Sequence, residues 1–325
     1  MTVVLYNRNT RTLVTSSRYD WVWAKLIQAS HRLMAPLNYL GISRIHQLIN
    51  TVFRPHTETC IIDGSERFCF PSNDYYWNRL LDCSFNYEPE LDDCMKCFSN
   101  VPFTFVDLGA NFGFWSSKVT AGRYGAHATV AVEASDYCFA ILQKNAADGE
   151  HPVILYHRAI DEVTGRELML HGDRHAGRSI DAEWYGAAGS VANKVTTITI
   201  DDALREAEVD VATTPTIIKL DVEGVELRAL KGAHETIRGQ SLFYIEDANK
   251  GEIADSTRYA ADVMGMKFFE WADGKMKPIT YQVEIAAHKL HQNKLQGAGY
   301  NFFATCSDFW IEQFLGANHA AAVAA

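Results

Sequence analysis

The spacing of apolar residues changes twice along the chain. From Asp20 to Phe53 they recur every three to four positions, which predicts helix. Trp23, Leu26 and Ile27 form one run, and Ile45, Leu48, Ile49 and Val52 another. Asp20 is placed to cap the first helix, and Pro36 and Gly41 divide the two. Residues 1–19 are polar with scattered β-branched positions and predict little regular structure. From about residue 66, short β-rich runs alternate with helical patterns. The runs lie at 104–109, 129–135, 152–160, 216–222, 241–247, 267–271 and 301–306. Helical patterns occupy 111–122, 136–148, 199–207, 224–239 and 253–265. Seven strands with intervening helices, the last two strands nearer to a hairpin, predict a doubly wound α/β sheet that is mostly parallel. Residues 316–325 are low in complexity, uncharged and expected to fray. The expected organisation is a basic, largely helical extension (1–65), an α/β domain (66–315) and a tail (316–325).

Composition narrows the function classes. The chain has 325 residues, 47% of them hydrophobic, enough to bury a core without help from disulfides or metals. Its formal charge of −10 disfavours nucleic acid as a partner. That charge is unevenly divided, with about +5 on residues 1–60 and about −15 on the remainder. No run approaches the roughly 18 apolar residues of a spanning helix, and the N-terminus lacks the pattern of a secretory signal. The seven cysteines are irregularly spaced, unlike a secreted disulfide framework. Cys94 and Cys97 form a CxxC within a helical stretch and read as buried free thiols, with no metal site completed around them. A reducing cytoplasm is the expected location.

The first β run carries the sharpest chemical signal. Phe105-Val106-Asp107-Leu108-Gly109-Ala110-Asn111-Phe112-Gly113 is a buried strand ending in an acid, then a glycine turn, then a helix. This is the geometry of a nucleotide-type cofactor site, but the glycine spacing differs from the dinucleotide fingerprint. Asp107 stands where a pyrophosphate would approach and would repel it, whereas S-adenosylmethionine is cationic and would be attracted. Glu133 ends the second strand, 24 residues after Gly109, near the position of an acid that takes ribose hydroxyls. In the fourth strand Lys219, Asp221 and Glu223 alternate with Ile218, Leu220 and Val222. Such charges are costly in a covered parallel strand unless they are paired or belong to a site; an exposed edge strand is the bland alternative.

Two segments, FVDLGANFG (105–113) and IIKLDVEGVELRALKGA (217–233), resemble the FkbM family of S-adenosylmethionine-dependent methyltransferases. HRAIDEVTGRELMLH (157–171), TTITIDDAL (196–204) and NYEPEL (86–91) extend the resemblance over about residues 66–306. It implies a class I, Rossmann-like methyltransferase fold and methyl transfer to a hydroxyl, often on a sugar of a glycan, glycolipid or natural product. By position, Asp107, Gly109, Asn111 and Gly113 would lie along the methionine end of the cofactor. Glu133 would hold the ribose, Ala159 and Ile160 would lie near the adenine, and Asp221 and Glu223 would face the methionine moiety or the acceptor. The family often has a histidine after the fifth strand; here the residues are Glu246-Asp247-Ala248-Asn249.

A neutral hydroxyl needs a base. Glu246, Asp221 and Glu223 are the candidates, with His157 behind them and Lys219 as an anchor for its acidic neighbours. Residues 171–190 read as a polar, aromatic loop over the acceptor, with Trp184 and Tyr185 available to stack on a sugar and His171 and His175 as weak metal candidates. Residues 20–53 are expected to form a homodimer contact or a peripheral platform for an anionic membrane or lipid-linked glycan, or else to pack simply on the domain. A nucleotide-cofactor oxidoreductase and a non-catalytic Rossmann-like scaffold are the competing readings.

Overall fold

The computed structural model describes residues 3–37, 39–53, 58–125, 127–147, 151–172, 177–181, 191–247, 253–285 and 300–324. The N-terminal part begins with strands Val3–Asn7 (β1) and Thr12–Thr15 (β2), where little regular structure was expected. Helices Arg18–Met34 (α1) and Ile42–Phe53 (α2) follow, separated by a short 3-10 turn at Ala35–Leu37, as the proline and glycine predict. Ser17, rather than Asp20, caps α1: its hydroxyl accepts from the Asp20 backbone N–H, and the Asp20 carboxylate accepts from that hydroxyl in return. Strands Glu58–Asp63 (β3) and Glu66–Pro71 (β4) complete a four-stranded sheet of order β2-β1-β3-β4. This sheet runs across residue 65, so the extension and the following domain are joined by strand pairing. Cys60 and Cys69, opposite each other in β3 and β4, form a disulfide that their spacing did not suggest. Pro89–Cys97 is helix α3, with Cys94 buried and Cys97 exposed rather than buried.

The α/β domain contains strands Thr104–Leu108 (β5), Thr129–Glu133 (β6) and Val153–His157 (β7), with helices Phe114–Thr120 (α4) and Asp136–Ala147 (α5) between them. Ala159–Ile160 (β8), Glu167–His171 (β9) and Val191–Ile198 (β10) form a separate three-stranded sheet of order β8-β10-β9. Ile200–Glu206 (α6), Thr216–Leu220 (β11), Glu226–Lys231 (α7), His234–Arg238 (α8) and Ser241–Asp247 (β12) come next. After Asp255–Arg258 (α9), strands Lys267–Ala272 (β13), Lys275–Ile279 (β14) and Tyr300–Thr305 (β15) close the domain. The main sheet has the order β14-β13-β15-β12-β11-β5-β6-β7. Its pairings from β12 to β7 are parallel, and β15, β13 and β14 join antiparallel. All seven expected strands are present, and β14 is the eighth. The hairpin is β13–β14, and β15 inserts between β13 and β12. This is a mostly parallel α/β sheet flanked by helices.

The tail, expected to fray, has a helical backbone where it is described. Asp308–Ala324 is one helix (α10), because alanine is the strongest helix former and nothing after Gly316 breaks the run.

Alternation along the buried strands divides the core in two. Phe105, Ile217, Leu242 and Phe303 face one cluster, which also contains Val4, Tyr6, Trp23, Trp310 and Phe314. Val106, Ile218, Phe243 and Phe302 face the other, with α6, α7 and α8 behind them. The first and last segments of the chain therefore share a core.

Candidate functional site

β11 is central, paired on both sides, and its five residues are buried. The edge-strand alternative is excluded, so Lys219 needs partners. Register supplies them: Lys219 stands opposite Asp107 on β5 and Tyr244 on β12, on the face shared with Phe105 and Ile217. Beyond the strand end, the Lys219 ammonium lies 2.6 Å from Asp221 Oδ2 and 3.9 Å from Glu88 Oε1. Burial alone would lower the lysine pKa; the carboxylates of Asp221, Glu88 and Asp107 outweigh it and hold the ammonium well above its ordinary value.

Asp107 is fully enclosed and accepts from the Ser116 hydroxyl (2.7 Å) and backbone N–H (3.2 Å) at the start of α4. Burial raises its pKa against the opposing charge of Lys219. Glu133 closes β6 and accepts from the backbone N–H groups of Asn111 (2.8 Å) and Ser135 (2.7 Å). Burial pushes its pKa up to about 7, although those two donors pull the other way. Glu246, at the end of β12, is pushed up to about 8 by burial and by the neighbouring charges of Asp221 and Glu223.

Asp107, Glu133, Lys219 and Asp221 border a cleft at the carboxyl ends of the central strands, where open α/β sheets take ligands, whereas Glu246 is not among its lining residues. Asp107, Gly109, Asn111, Glu133, Ala159, Ile160, Lys219, Asp221 and Glu223 all line it. Val132, Leu170, Ile180 and Val222 supply apolar wall beside Ala159 and Ile160. Gly113 is placed differently. It precedes α4 with a φ of +81°, and a β-carbon there would stand 2.5 Å from Leu142 Cδ1, so its role is to pack α4 on α5. His157 stacks on Phe139 and lies 3.0 Å from Asp136, outside the cleft lining. His171 pairs with Ser179 through backbone hydrogen bonds. Within the expected loop, Arg178, Ser179 and Ile180 lie against the cleft beside Glu133. His175, Trp184 and Tyr185 lie outside the described residues, as do Ala248 and Asn249.

Sequence reasoning missed the opposite wall. Tyr76, Trp77 and Tyr87 line the cleft together with Phe114 and Trp115. Trp77 stacks on Phe114 with centroids 5.3 Å apart, and its Nε1 donates to Asn111 Oδ1 at 3.2 Å. Behind them Glu88, largely shielded from solvent and pushed up to about 7 by desolvation, accepts from Trp115 Nε1. Glu88, Asn111 and Glu223 hold left-handed backbones (φ 45°, 53° and 52°), three non-glycine residues in a region that side chains avoid, gathered at one cleft. The NYEPEL segment contains Tyr87 and Glu88 and was the one sequence pointer to this wall.

A clamp behind the site joins two of the sequence motifs. Asp161, fully buried, receives Nε and Nη2 of Arg228 at 2.7 Å each, and also the Arg166 guanidinium. Gly232 lies so close to the Asp161 carbonyl that a β-carbon would stand 2.6 Å from it. The methyltransferase FkbM domain model matches residues 107–266, a span that contains both halves of this clamp and the floor of the cleft. This span is a methyltransferase FkbM domain. The FkbM domain supplies Asp107, Glu133 and Asp221, whereas Tyr76, Trp77, Tyr87 and Glu88 precede it. No curated protein matches the sequence.

Among solved structures, the methyltransferase FkbM from Methylobacillus flagellatus is 21% identical over 45% of this chain and 33% of that one, with a TM-score of 0.30. The present chain thus spans about a third of that protein. The ribosomal protein L11 methylase of Lactobacillus delbrueckii subsp. bulgaricus is 13% identical, covering 67% and 78% of the two chains, with a TM-score of 0.34. The SAM-dependent O-methyltransferase of Thermotoga maritima is 10% identical, covering 69% and 67%, with a TM-score of 0.35. At such scores the superpositions carry no weight for the fold, which rests on the strand order.

Proposed function

We propose that the chain is an S-adenosylmethionine-dependent O-methyltransferase acting on a hydroxyl, most favourably a sugar hydroxyl of a glycan, glycolipid or glycosylated natural product. The observation that carries this reading is the convergence of Asp107, Glu133 and Asp221 from three adjacent parallel strands on one cleft. S-adenosylmethionine supplies a methyl group activated by a sulfonium. The residues present fit it: Glu133 offers a carboxylate for ribose hydroxyls, and Ala159, Ile160, Leu170 and Ile180 form an apolar slot for a base. Asp107 and Asp221 provide negative charge for the ammonium and sulfonium. No backbone nest for a pyrophosphate is needed. The aromatic wall of Tyr76, Trp77, Tyr87 and Trp115 has flat apolar faces of the kind that stack on sugar rings.

Methyl transfer breaks a carbon–sulfur bond and forms a carbon–oxygen bond, and the hydroxyl proton must leave. The carboxylates of Glu246, Asp221 and Glu223 stand as acceptors for that proton, with Lys219 fixing Asp221 in place. The chain otherwise contributes alignment and exclusion of water. Calorimetric titration with S-adenosylmethionine and with a nicotinamide dinucleotide tests the cofactor, and transfer of labelled methyl to a panel of glycans and glycolipids tests the acceptor. Binding of the dinucleotide alone would overturn the reading in favour of an oxidoreductase, and binding of neither would favour a scaffold.

A further inference from the structure

The α1–α2 hairpin buries only part of its apolar surface. On α1, Trp23, Ala24 and Ile27 pack inward, while Val22, Leu26, Ala29 and Leu33 form an exposed stripe at helical spacing. On α2, Ile42 and His46 are buried, while Leu48 and Val52 are each 68% exposed and Leu33 across the hairpin is 75% exposed. The connection adds Leu37 and Leu40, also exposed. Of the 18 large hydrophobic side chains exposed among the described residues, ten fall between Val14 and Val52. Single exposed apolar residues are ordinary, but such a concentration marks an interaction surface.

Charge identifies the partner. Residues 21–57 contain no aspartate or glutamate, in a chain that has 40. Asp20, just before this stretch, is buried and bonded to Ser17. Arg18, Arg32 and Arg44 are exposed among the apolar stripes, and Lys25 sits over the Trp21 ring. A second copy of the chain would set these cations against their own kind, which opposes a symmetric dimer. An anionic lipid surface complements them, and it also accepts aliphatic side chains below its headgroups and Trp21 and Tyr19 at headgroup level.

We propose that the outer face of the α1–α2 hairpin is a docking surface for an anionic lipid bilayer. Gln28 Nε2 donates to the Leu81 carbonyl at 3.1 Å and ties α1 to the rest of the molecule, and Trp23 Nε1 donates to Asn50 Oδ1 at 2.9 Å and ties α1 to α2. The hairpin presents its face as a rigid unit, with no refolding needed.

Co-sedimentation of the full chain with phosphatidylcholine vesicles, with and without phosphatidylglycerol, tests this without involving methyl transfer or any cofactor. Each basic side chain near an anionic surface strengthens binding by about fivefold. The partition coefficient is therefore expected to be about tenfold or more higher on the anionic vesicles and to fall as salt is raised. Two pairs of exposed substitutions, Leu48→Glu with Val52→Glu and Arg32→Glu with Arg44→Glu, should each lower it by about tenfold or more, with melting temperatures unchanged. Equal partition onto neutral and anionic vesicles, no partition at all, or wild-type partition by both variants would each overturn the proposal. A dimer in sedimentation velocity that Leu48→Glu dissociates, without vesicle binding, would assign the face to a second copy instead.

Discussion

Gly109 faces the backbone carbonyl of Asp221 so closely that a β-carbon on it would stand 1.8 Å from the oxygen. The two residues end adjacent strands, and the Asp221 N–H already bonds to the Leu108 carbonyl at 3.1 Å. Gly109 also has a φ of +81°. Gly109→Ala should therefore cost about 3 kcal/mol or more, because clash and left-handed strain coincide. Gly64→Ala is the comparison: its φ is +75° but nothing lies within 4 Å, so only about 1 kcal/mol is expected. Chemical denaturation of the two variants measures the difference, and equal losses would refute the close approach.

Lys219 compensates three carboxylates at once. Lys219→Met keeps the length of the side chain but leaves Asp107, Asp221 and Glu88 uncompensated. Stability at neutral pH should fall by about 3–5 kcal/mol, the usual cost of removing one partner from a buried ion pair. Part of that loss should be recovered as the pH is lowered and Asp107 and Glu88, both raised by burial, protonate. A loss independent of pH would point to packing instead.

Glu133 gives cofactor binding a pH dependence of fixed sign. Its pKa of about 7 lies above the ordinary 4.5, so it binds a proton across that interval in the free protein. In the proposed site a ribose hydroxyl would donate to the ionised form. Affinity for S-adenosylmethionine should therefore rise about tenfold per pH unit below 7 and level off above it. Glu133→Gln should flatten this slope and weaken binding by about tenfold to a hundredfold. Calorimetry at several pH values reads both quantities.

Glu246 should shape the rate profile if it takes the acceptor proton. With a pKa of about 8 in the free enzyme, it is protonated and unable to act below that pH. A plot of kcat/KM against pH should climb tenfold per unit toward about 8 and then flatten. Glu246→Gln should abolish the climb and lower turnover by about a hundredfold or more. If that variant keeps the wild-type profile and Asp221→Asn is inactive, the base is Asp221.

The Asp161–Arg228 clamp should matter to stability but not to chemistry. Arg228→Lys loses the paired donation to Asp161, and Asp161→Ala strands Arg228 and Arg166 beside a void. The first should cost about 1 kcal/mol and the second about 1–3 kcal/mol, since both arginines keep access to solvent. Cofactor affinity of the remaining folded protein should be unchanged. A selective loss of affinity would move Asp161 into the site.

The main sheet was legible because buried parallel strands read as short, nearly continuous apolar runs. Asp107, Lys219, Asp221 and Glu223 stood out for the same reason, as charges where the pattern leaves no room for them. The N-terminal sheet was not legible: β1 and β2 are short, β2 is half polar, and β1 pairs with β3 more than fifty residues later. Tyr76, Tyr87 and Glu88 lie on irregular backbone, which has no period to detect. Gly113 was assigned to the cleft from its place after a strand, whereas its demand comes from Leu142 on a neighbouring helix. The alanine-rich end was read as low complexity, although the same composition is what makes α10 continuous.

The shared core of the two chain ends has a consequence for how the molecule opens. Val4 and Tyr6 are sealed in the same cluster as Trp310 and Phe314, and that cluster also contains Trp77 and Trp115 from the cleft wall. Loosening either terminus exposes the back of that wall. Amide protons of β1 and of the first turns of α10 should therefore exchange with a common opening free energy, as one cooperative unit whose release unseats the wall while the β6–β7 side of the sheet stays closed.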